Sequence, residues 1–183
     1  LKALVQYQEA TGDPRVIPLL SRYFAYQLKN LPTRPLRDWG KFRWQDNVLV
    51  VIWLYNRTGD AKLLDLAHIL QQQGFDWKAN FADFKYTQRT TPESIGLKSG
   101  GGLKDHALAT HGVNNGQAIK ATPVWSVVSN DESDRQGIHQ MLAALDKYHG
   151  LPNGMFSCDE HLAGLNPSQG TELCTVVETM FSL

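Results

Sequence analysis

Apolar residues recur along this chain in three pairs of helical segments, and a similar tripeptide joins the two members of each pair. The tripeptides are Thr11-Gly12-Asp13, Thr58-Gly59-Asp60 and Ser129-Asn130-Asp131. Gly and Asn tolerate the left-handed conformation that ends a helix, and Asp can cap the next one. Apolar spacing after each tripeptide fits a helix with one buried face. The pattern predicts helix–turn–helix units, with the segments centred on Leu20, Ile52 and Leu142 all helical.

The first helices of these pairs differ in character from the second. Residues 48–55 are apolar on every side, which indicates an inner helix buried all round, whereas the second helices keep a polar face. Repeated helix pairs are typical of a solenoid or a closed toroid. Because inner and outer layers favour closure, we predict an all-α fold in which the helical hairpins form part of a toroid.

Two long connections interrupt the repeat. Residues 80–110 contain the Ser-Gly-Gly-Gly run at 99–102, and residues 150–170 are rich in Gly and Pro. Long loops in compact domains often carry function. Both segments lead into helices of the first type, so we expect them to meet at one rim, where the functional site should lie.

Composition narrows the class of protein. Eighteen basic residues balance eighteen acidic ones, and apolar residues make up 42% of the chain. Nucleic-acid binders usually carry a basic excess or stripe, which is absent here. No apolar run approaches the roughly 20 residues that span a bilayer. The start at Leu1 and the end inside an apolar helical pattern lead us to expect that residues 1–183 are part of one longer domain, which leaves localisation open.

Acidic residues concentrate in the second long loop. Glu160 lies between the apolar pairs 155–156 and 162–163. A general acid needs a carboxyl group whose pKa is raised, usually by partial burial. We therefore expect these apolar neighbours to enclose the Glu160 side chain. The alternative is that Asp159 and Glu160 are loop acids that cap a turn.

A thiol and a carboxylate follow at residues 172–174. Residues i and i+2 of an extended segment point the same way, so Glu172 and Cys174 could reach one ion. In a helix they would diverge, so the pair is a chelate only just before the last helix begins. Thiolate and carboxylate suit Zn²⁺. The alternatives are a capping Glu172 with a buried Cys174, or a disulfide between Cys174 and Cys158.

Two further polar stretches stand at predicted helix starts. Residues 111–117, from His111 to Gln117, precede or open a helix predicted over residues 115–128, and their short polar groups suit a sugar site. Trp44 precedes the buried helix at 48–55 and could stack on a sugar ring if exposed. The alternatives are an ordinary helix start and a Trp44 that packs the helix entry.

The segments Gly-Met-Phe-Ser-Cys-Asp-Glu-His-Leu-Ala-Gly (154–164) and Pro-Ser-Gln-Gly-Thr-Glu-Leu-Cys-Thr-Val-Val-Glu (167–178) resemble glycoside hydrolase family 127, the β-L-arabinofuranosidase family. The resemblance implies an (α/α)6 toroid and a retaining glycosidase acting on L-arabinofuranose or a related sugar. It implies a zinc-bound cysteine nucleophile, with Glu160 as acid/base, Glu172 and Cys174 as zinc ligands, and His111 in the sugar pocket. We add as candidate sugar contacts Trp44, Asn115, Asp159 and Gln169.

Two features depart from the family pattern. The family's nucleophile belongs to an adjacent cysteine pair, which residues 1–183 lack, so we expect this chain alone to hydrolyse nothing. Trp44 stands where the family has a histidine, which bears on the choice of sugar. Two other functions stay open: a lyase or epimerase on the same fold, and a non-catalytic helical-repeat binding module. A carbohydrate partner is expected in each enzyme interpretation, and the oligomeric state is open.

Overall fold

The computed structural model describes residues 1–96 and 104–183, and helices dominate this part of the chain. They are α1 (Lys2–Thr11), α2 (Val16–Asn30), α3 (Asp38–Phe42), α4 (Trp44–Thr58), α5 (Lys62–Gln73), α6 (Trp77–Ala82), α7 (Asp105–Thr110), α8 (Gly112–Ala118), α9 (Ala121–Ser129), α10 (Glu132–His149) and α11 (Leu173–Ser182). Within the described ranges, backbone pairing of the β type occurs only as isolated bridges between single residues. The all-α prediction is confirmed, while the toroid stays a prediction. None of the described helices is both long and apolar enough to cross a membrane.

The chain divides into two compact units, Leu1–Phe75 and Asp76–Leu183. In the first unit α4 packs against α5 and α2. The central residues of α4 are buried on several sides, as predicted for an inner helix, whereas α5 buries a single face. The buried α4 residues are Trp44, Gln45, Val48, Val50, Val51, Ile52 and Leu54.

All three predicted turns are present, and the same hydrogen bonds hold each one. Gly12, Gly59 and Asn130 end their helices in the left-handed conformation, at φ 69°, 67° and 54°. The Asp that follows each of them accepts a hydrogen bond from the backbone N–H two residues later, at 2.8–3.1 Å. The hydroxyl that precedes each of them accepts from the N–H of that Asp. The helix–turn–helix prediction is therefore confirmed.

In the second unit α8 packs against α11, and α10 packs against α9 and α6. Every residue of α8 is buried, which makes it a second inner helix. A Cβ atom added to Gly112 would lie 1.7 Å from the Cys158 sulfur, and one added to Gly116 would lie 2.9 Å from the Thr179 hydroxyl. Glycine is required at both positions because these contacts leave no room for a side chain.

Two predicted boundaries were wrong. The single helix expected over residues 115–128 is two helices, α8 and α9, separated at Ile119 and Lys120. Pro123 lacks the N–H that would have bonded to the Ile119 carbonyl, and its ring suits the first turn of a new helix. The loop expected over residues 80–110 ends in a helix, α7, and its run at 99–102 lies outside the described residues. Residues 150–170 are irregular, as predicted, and the irregular segment continues to residue 172.

Candidate active site

Residues 150–172, called the acidic loop below, fold around the buried Cys158. The Cys158 N–H donates to the Gly170 carbonyl at 2.9 Å, and the Glu172 N–H donates to the Cys158 carbonyl at 2.8 Å. Burial raises the pKa of the Cys158 thiol to about 12, so this group is a neutral thiol at physiological pH. Cys158 is therefore a packing residue at the centre of the loop, in contact with α8.

Glu160 lies on the outside of the acidic loop, against the start of α8. Its backbone carbonyl accepts from the Gly112 N–H at 3.0 Å. Its carboxylate Oε1 lies 3.1 Å from Nε2 of His111, whose side chain is only 8% exposed. The structure thus joins a surface carboxylate to a buried imidazole, and it brings together two residues that the sequence separates by 49 positions.

The expected enclosure of Glu160 by its apolar neighbours is wrong. Phe156, Leu162 and Ala163 are buried in the core, but the Glu160 side chain is 66% exposed. The reason is that the loop turns sharply at this point, with Cys158 paired to Leu162 across the turn. The residues at its tip consequently point away from the apolar side chains that flank them in sequence.

Glu172 and Cys174 lie beside this pair, at the start of α11. Glu172 immediately precedes the helix with an extended ψ of 137°, and the exposed Cys174 is in the first turn. A hydrogen bond with the Glu172 carboxylate raises the pKa of Cys174, and the negative charge of Glu160 adds to this effect. Both cysteines are free, so the alternative of a disulfide is wrong. Glu160 contacts His111 and its charge reaches Cys174, while the cavity that these residues were expected to share stays a prediction.

The donor chemistry of Glu172 and Cys174 fits half of a zinc site. Carboxylate and thiolate are both zinc ligands, and structural zinc sites are almost always four-coordinate. Glu172 Oε2 is buried without a hydrogen-bond partner among the described residues, and a cation would satisfy this atom. No cluster of three or more candidate ligands occurs in residues 1–96 and 104–183. The remaining ligands of such a site would have to come from elsewhere.

The other candidate sugar contacts on this unit differ in accessibility. Asp159 is exposed, and its Oδ1 accepts from the Gly170 N–H at 3.2 Å. Gln169 is half-buried on the same loop. Asn115 is fully buried, and its side chain donates to the backbone carbonyls of Ala109 and His111 at 2.8 and 2.9 Å. Asn115 thus supports the start of α8 and presents no side-chain surface to solvent.

Trp44 belongs to the first unit, and its side chain is buried in the packing of that unit rather than exposed to solvent. Only 5% of the residue is exposed, and its indole N–H donates to the Phe75 carbonyl at 3.0 Å. Gly74 lies so close that a Cβ there would be 2.2 Å from the indole. Trp44 therefore packs the helix entry, which was the alternative interpretation. Stacking on a sugar ring would need an exposed indole, and this indole is buried.

Sequence reasoning missed His161, the neighbour of Glu160. An antiparallel bridge places it opposite His111, and the two rings meet edge to face at 5.6 Å. Burial lowers the pKa of His161, and the nearby His111 lowers it further. Adjacency to Glu160 was the available signal, but without the bridge nothing in the sequence connects residues 111 and 161.

Comparison with known proteins gives a family match over most of the chain. The family model described as beta-L-arabinofuranosidase, GH127 catalytic domain, matches residues 1–133. No curated protein and no solved structure matches. The matched residues contain His111, whereas Glu160, Glu172 and Cys174 lie beyond them. Roles for those three residues depend on the geometry above and on the motif resemblance.

Proposed function

The chain belongs to the GH127 β-L-arabinofuranosidase catalytic-domain family, and from this premise we propose that it carries the acid/base carboxylate and part of the zinc site of a retaining glycosidase. Membership of this family associates the chain with glycoside hydrolysis. In our proposal the substrate is a terminal L-arabinofuranoside or a related sugar. The observation that carries the proposal is the contact between Glu160 and His111, next to the Glu172–Cys174 pair.

The position of Glu160 supports an acid/base role, although its carboxylate lacks the apolar enclosure that the sequence led us to expect. Its exposed carboxyl group can approach a glycosidic oxygen, and its contact with the buried His111 restricts where that group lies. Glu160 would protonate the leaving oxygen and then accept a proton from the incoming water. His111 would hold the carboxylate in one orientation between the two steps and line the sugar pocket.

Glu172 and Cys174 would hold the zinc ion. Bound zinc would keep sulfur ligands deprotonated at neutral pH, and thiolate is the nucleophilic form of cysteine. The nucleophile itself is not assigned to this chain. Cys158 is buried with a raised pKa, and residues 1–183 contain no adjacent cysteine pair. In our proposal, protein sequence other than these residues supplies the attacking thiolate.

Two substitutions in the complete protein separate the catalytic role from the metal role. Glu160→Gln should retain zinc and lose roughly 10²–10⁴-fold in turnover of unactivated glycosides, because an amide cannot donate the proton. Cys174→Ser should lose zinc, because a hydroxyl is a poorer ligand than a thiolate. Glu132→Gln is the matched control, since Glu132 is an exposed acid that bonds within α10.

The measurements are the zinc content of each variant and its hydrolysis of alkyl and aryl L-arabinofuranosides. Near-normal turnover of the alkyl glycoside by Glu160→Gln would remove Glu160 from the mechanism. Full zinc content in Cys174→Ser would remove Cys174 from the metal site. Loss of activity in Glu132→Gln would show that the assay responds to surface charge rather than to the acid/base group.

A further inference from the structure

We propose that His149 is a positioning residue for Glu160, because its neutral imidazole holds the acidic loop at Gly164 while the Tyr86 carbonyl orients the ring. His149 is the last residue of α10 and is fully buried. This inference rests on the proposed role of Glu160 as acid/base. The loop contacts that support it are independent of any activity.

Two backbone groups determine the tautomer of His149. The Gly164 N–H lies 2.9 Å from Nδ1, and because an amide N–H can only donate, Nδ1 must be the unprotonated nitrogen. The Tyr86 carbonyl lies 2.6 Å from Nε2, and because a carbonyl can only accept, Nε2 must carry the hydrogen. The ring therefore bridges two segments of backbone with one acceptor and one donor, and only the neutral form can do so.

The contacts of His149 flank Glu160 on both sides in sequence. Its backbone carbonyl accepts from the Ser157 N–H at 2.7 Å, three residues before Glu160. Its ring holds Gly164, four residues after Glu160. The Ser157 hydroxyl donates to the Gly164 carbonyl, so the two ends of residues 157–164 are bonded to each other. Movement of either end would displace the tip of the loop, where the carboxylate contacts His111.

The segment at Tyr86 is a second point of attachment for the same stretch. The Thr90 N–H donates to the Leu162 carbonyl at 2.8 Å, so this segment holds the loop on the C-terminal side of Glu160. Phe84 meets the His149 ring edge to face at 6.1 Å, and burial lowers the pKa of His149. The imidazole is thus enclosed and kept neutral between the two backbones that it joins.

Side chains that preserve one bond at a time test the inference. His149→Asn places an acceptor near the position of Nδ1 and can keep the bond to Gly164. His149→Gln places a donor near the position of Nε2 and can keep the bond to Tyr86, and His149→Phe keeps neither. His139→Asn and His139→Gln are the matched controls, because His139 is an exposed residue of the same helix.

In the complete protein, His149→Asn should keep kcat for an L-arabinofuranoside within about threefold, whereas His149→Gln and His149→Phe should lose roughly tenfold or more with little change in KM. Amide hydrogen exchange across residues 157–164 should accelerate in the same two variants and stay slow in His149→Asn. The controls should change neither quantity. Normal kcat and slow exchange in both His149→Gln and His149→Phe would overturn the inference.

Hydrogen exchange needs no substrate, so it separates the two hypotheses. If the unaltered protein shows no glycosidase activity but exchange accelerates as described, the proposed function fails and the loop attachment stands. If the unaltered protein is active and exchange is unaffected by His149→Gln and His149→Phe, only the attachment fails. Should all His149 variants fail to fold, the unaltered protein still decides the question, because rapid exchange of its Gly164 amide would contradict the attachment.

Discussion

At the scale of single residues, one left-handed position decides where each hairpin turns. Gly12, Gly59 and Asn130 occupy the same conformation, yet only Asn130 carries a side chain there. A left-handed backbone brings Cβ close to the following carbonyl oxygen, at a cost of roughly 1–2 kcal/mol for most residues. Glycine avoids this cost and Asn tolerates it, which explains why these two residue types end the first helices.

The turn after α9 allows a test on one residue. Asn130→Ala should lower the free energy of unfolding by about 1 kcal/mol, because Ala resists the left-handed conformation, whereas Asn130→Gly should leave it within about 0.5 kcal/mol. Asn56→Ala is the control, since Asn56 is an exposed residue within α4. Urea unfolding gives the three values. Equal stability of Asn130→Ala and Asn130→Gly would show that φ does not limit this turn.

At the scale of elements, small residues set how closely α8 approaches α11. Gly112 and Gly116 are one turn apart on α8, and they face Thr175 and Thr179, which are one turn apart on α11. Both threonines are buried. The short side chains let the two helices approach closely enough for the start of each one to reach the acidic loop. Helix packing therefore determines the geometry of the candidate site.

Gly116→Ala tests this close approach. The added Cβ would lie 3.2 Å from the Thr175 carbonyl oxygen and 3.3 Å from the Thr179 nitrogen, and these backbone atoms can move only if α11 moves. We expect a loss of about 1–3 kcal/mol in the free energy of unfolding. Gly40→Ala is the control, because its nearest neighbour is a Leu36 methyl group at 3.7 Å. A Gly116→Ala protein as stable as the Gly40→Ala protein would refute the tight packing.

At the scale of the whole molecule, buried histidines make stability depend on pH. Burial lowers the pKa of His149 and of His161, so the unfolded chain takes up these protons first as the pH falls. Their contribution to stability is present above the unfolded pKa of about 6.5, and it is lost as the pH falls through the lower folded values. Acid therefore weakens the fold before most carboxylates titrate.

Urea unfolding between pH 7.5 and pH 5 checks the sign of this effect. The free energy of unfolding should fall as the pH is lowered, and His149→Phe should show a shallower fall, because one of the two histidines no longer titrates. His139→Phe, at an exposed position of α10, should keep the original slope. A free energy that rises toward pH 5 would contradict the expected direction.

Local sequence was sufficient for the three helical hairpins and their turns. The three tripeptides and the apolar spacing around them act over a few residues, so they predicted the hairpins and the inner character of α4 without knowledge of the rest of the chain. The interruption between α8 and α9 was missed because continuous apolar periodicity outweighed Pro123. The extended segment expected over Glu172 and Cys174 was wrong, because α11 already begins at Leu173, and the joint role of the two residues stays a prediction.

Only the tertiary structure decided the environment of each candidate residue. Glu160 and His111 meet across 49 positions of sequence, and His149 reaches Tyr86 across 63. Such contacts depend on how loops close over packed helices, and periodicity carries no information about loop closure. The same reason explains the exposure of Glu160 and the burial of Trp44. Sequence by itself determined which residues could perform chemistry, and long-range packing decided which of them lie together.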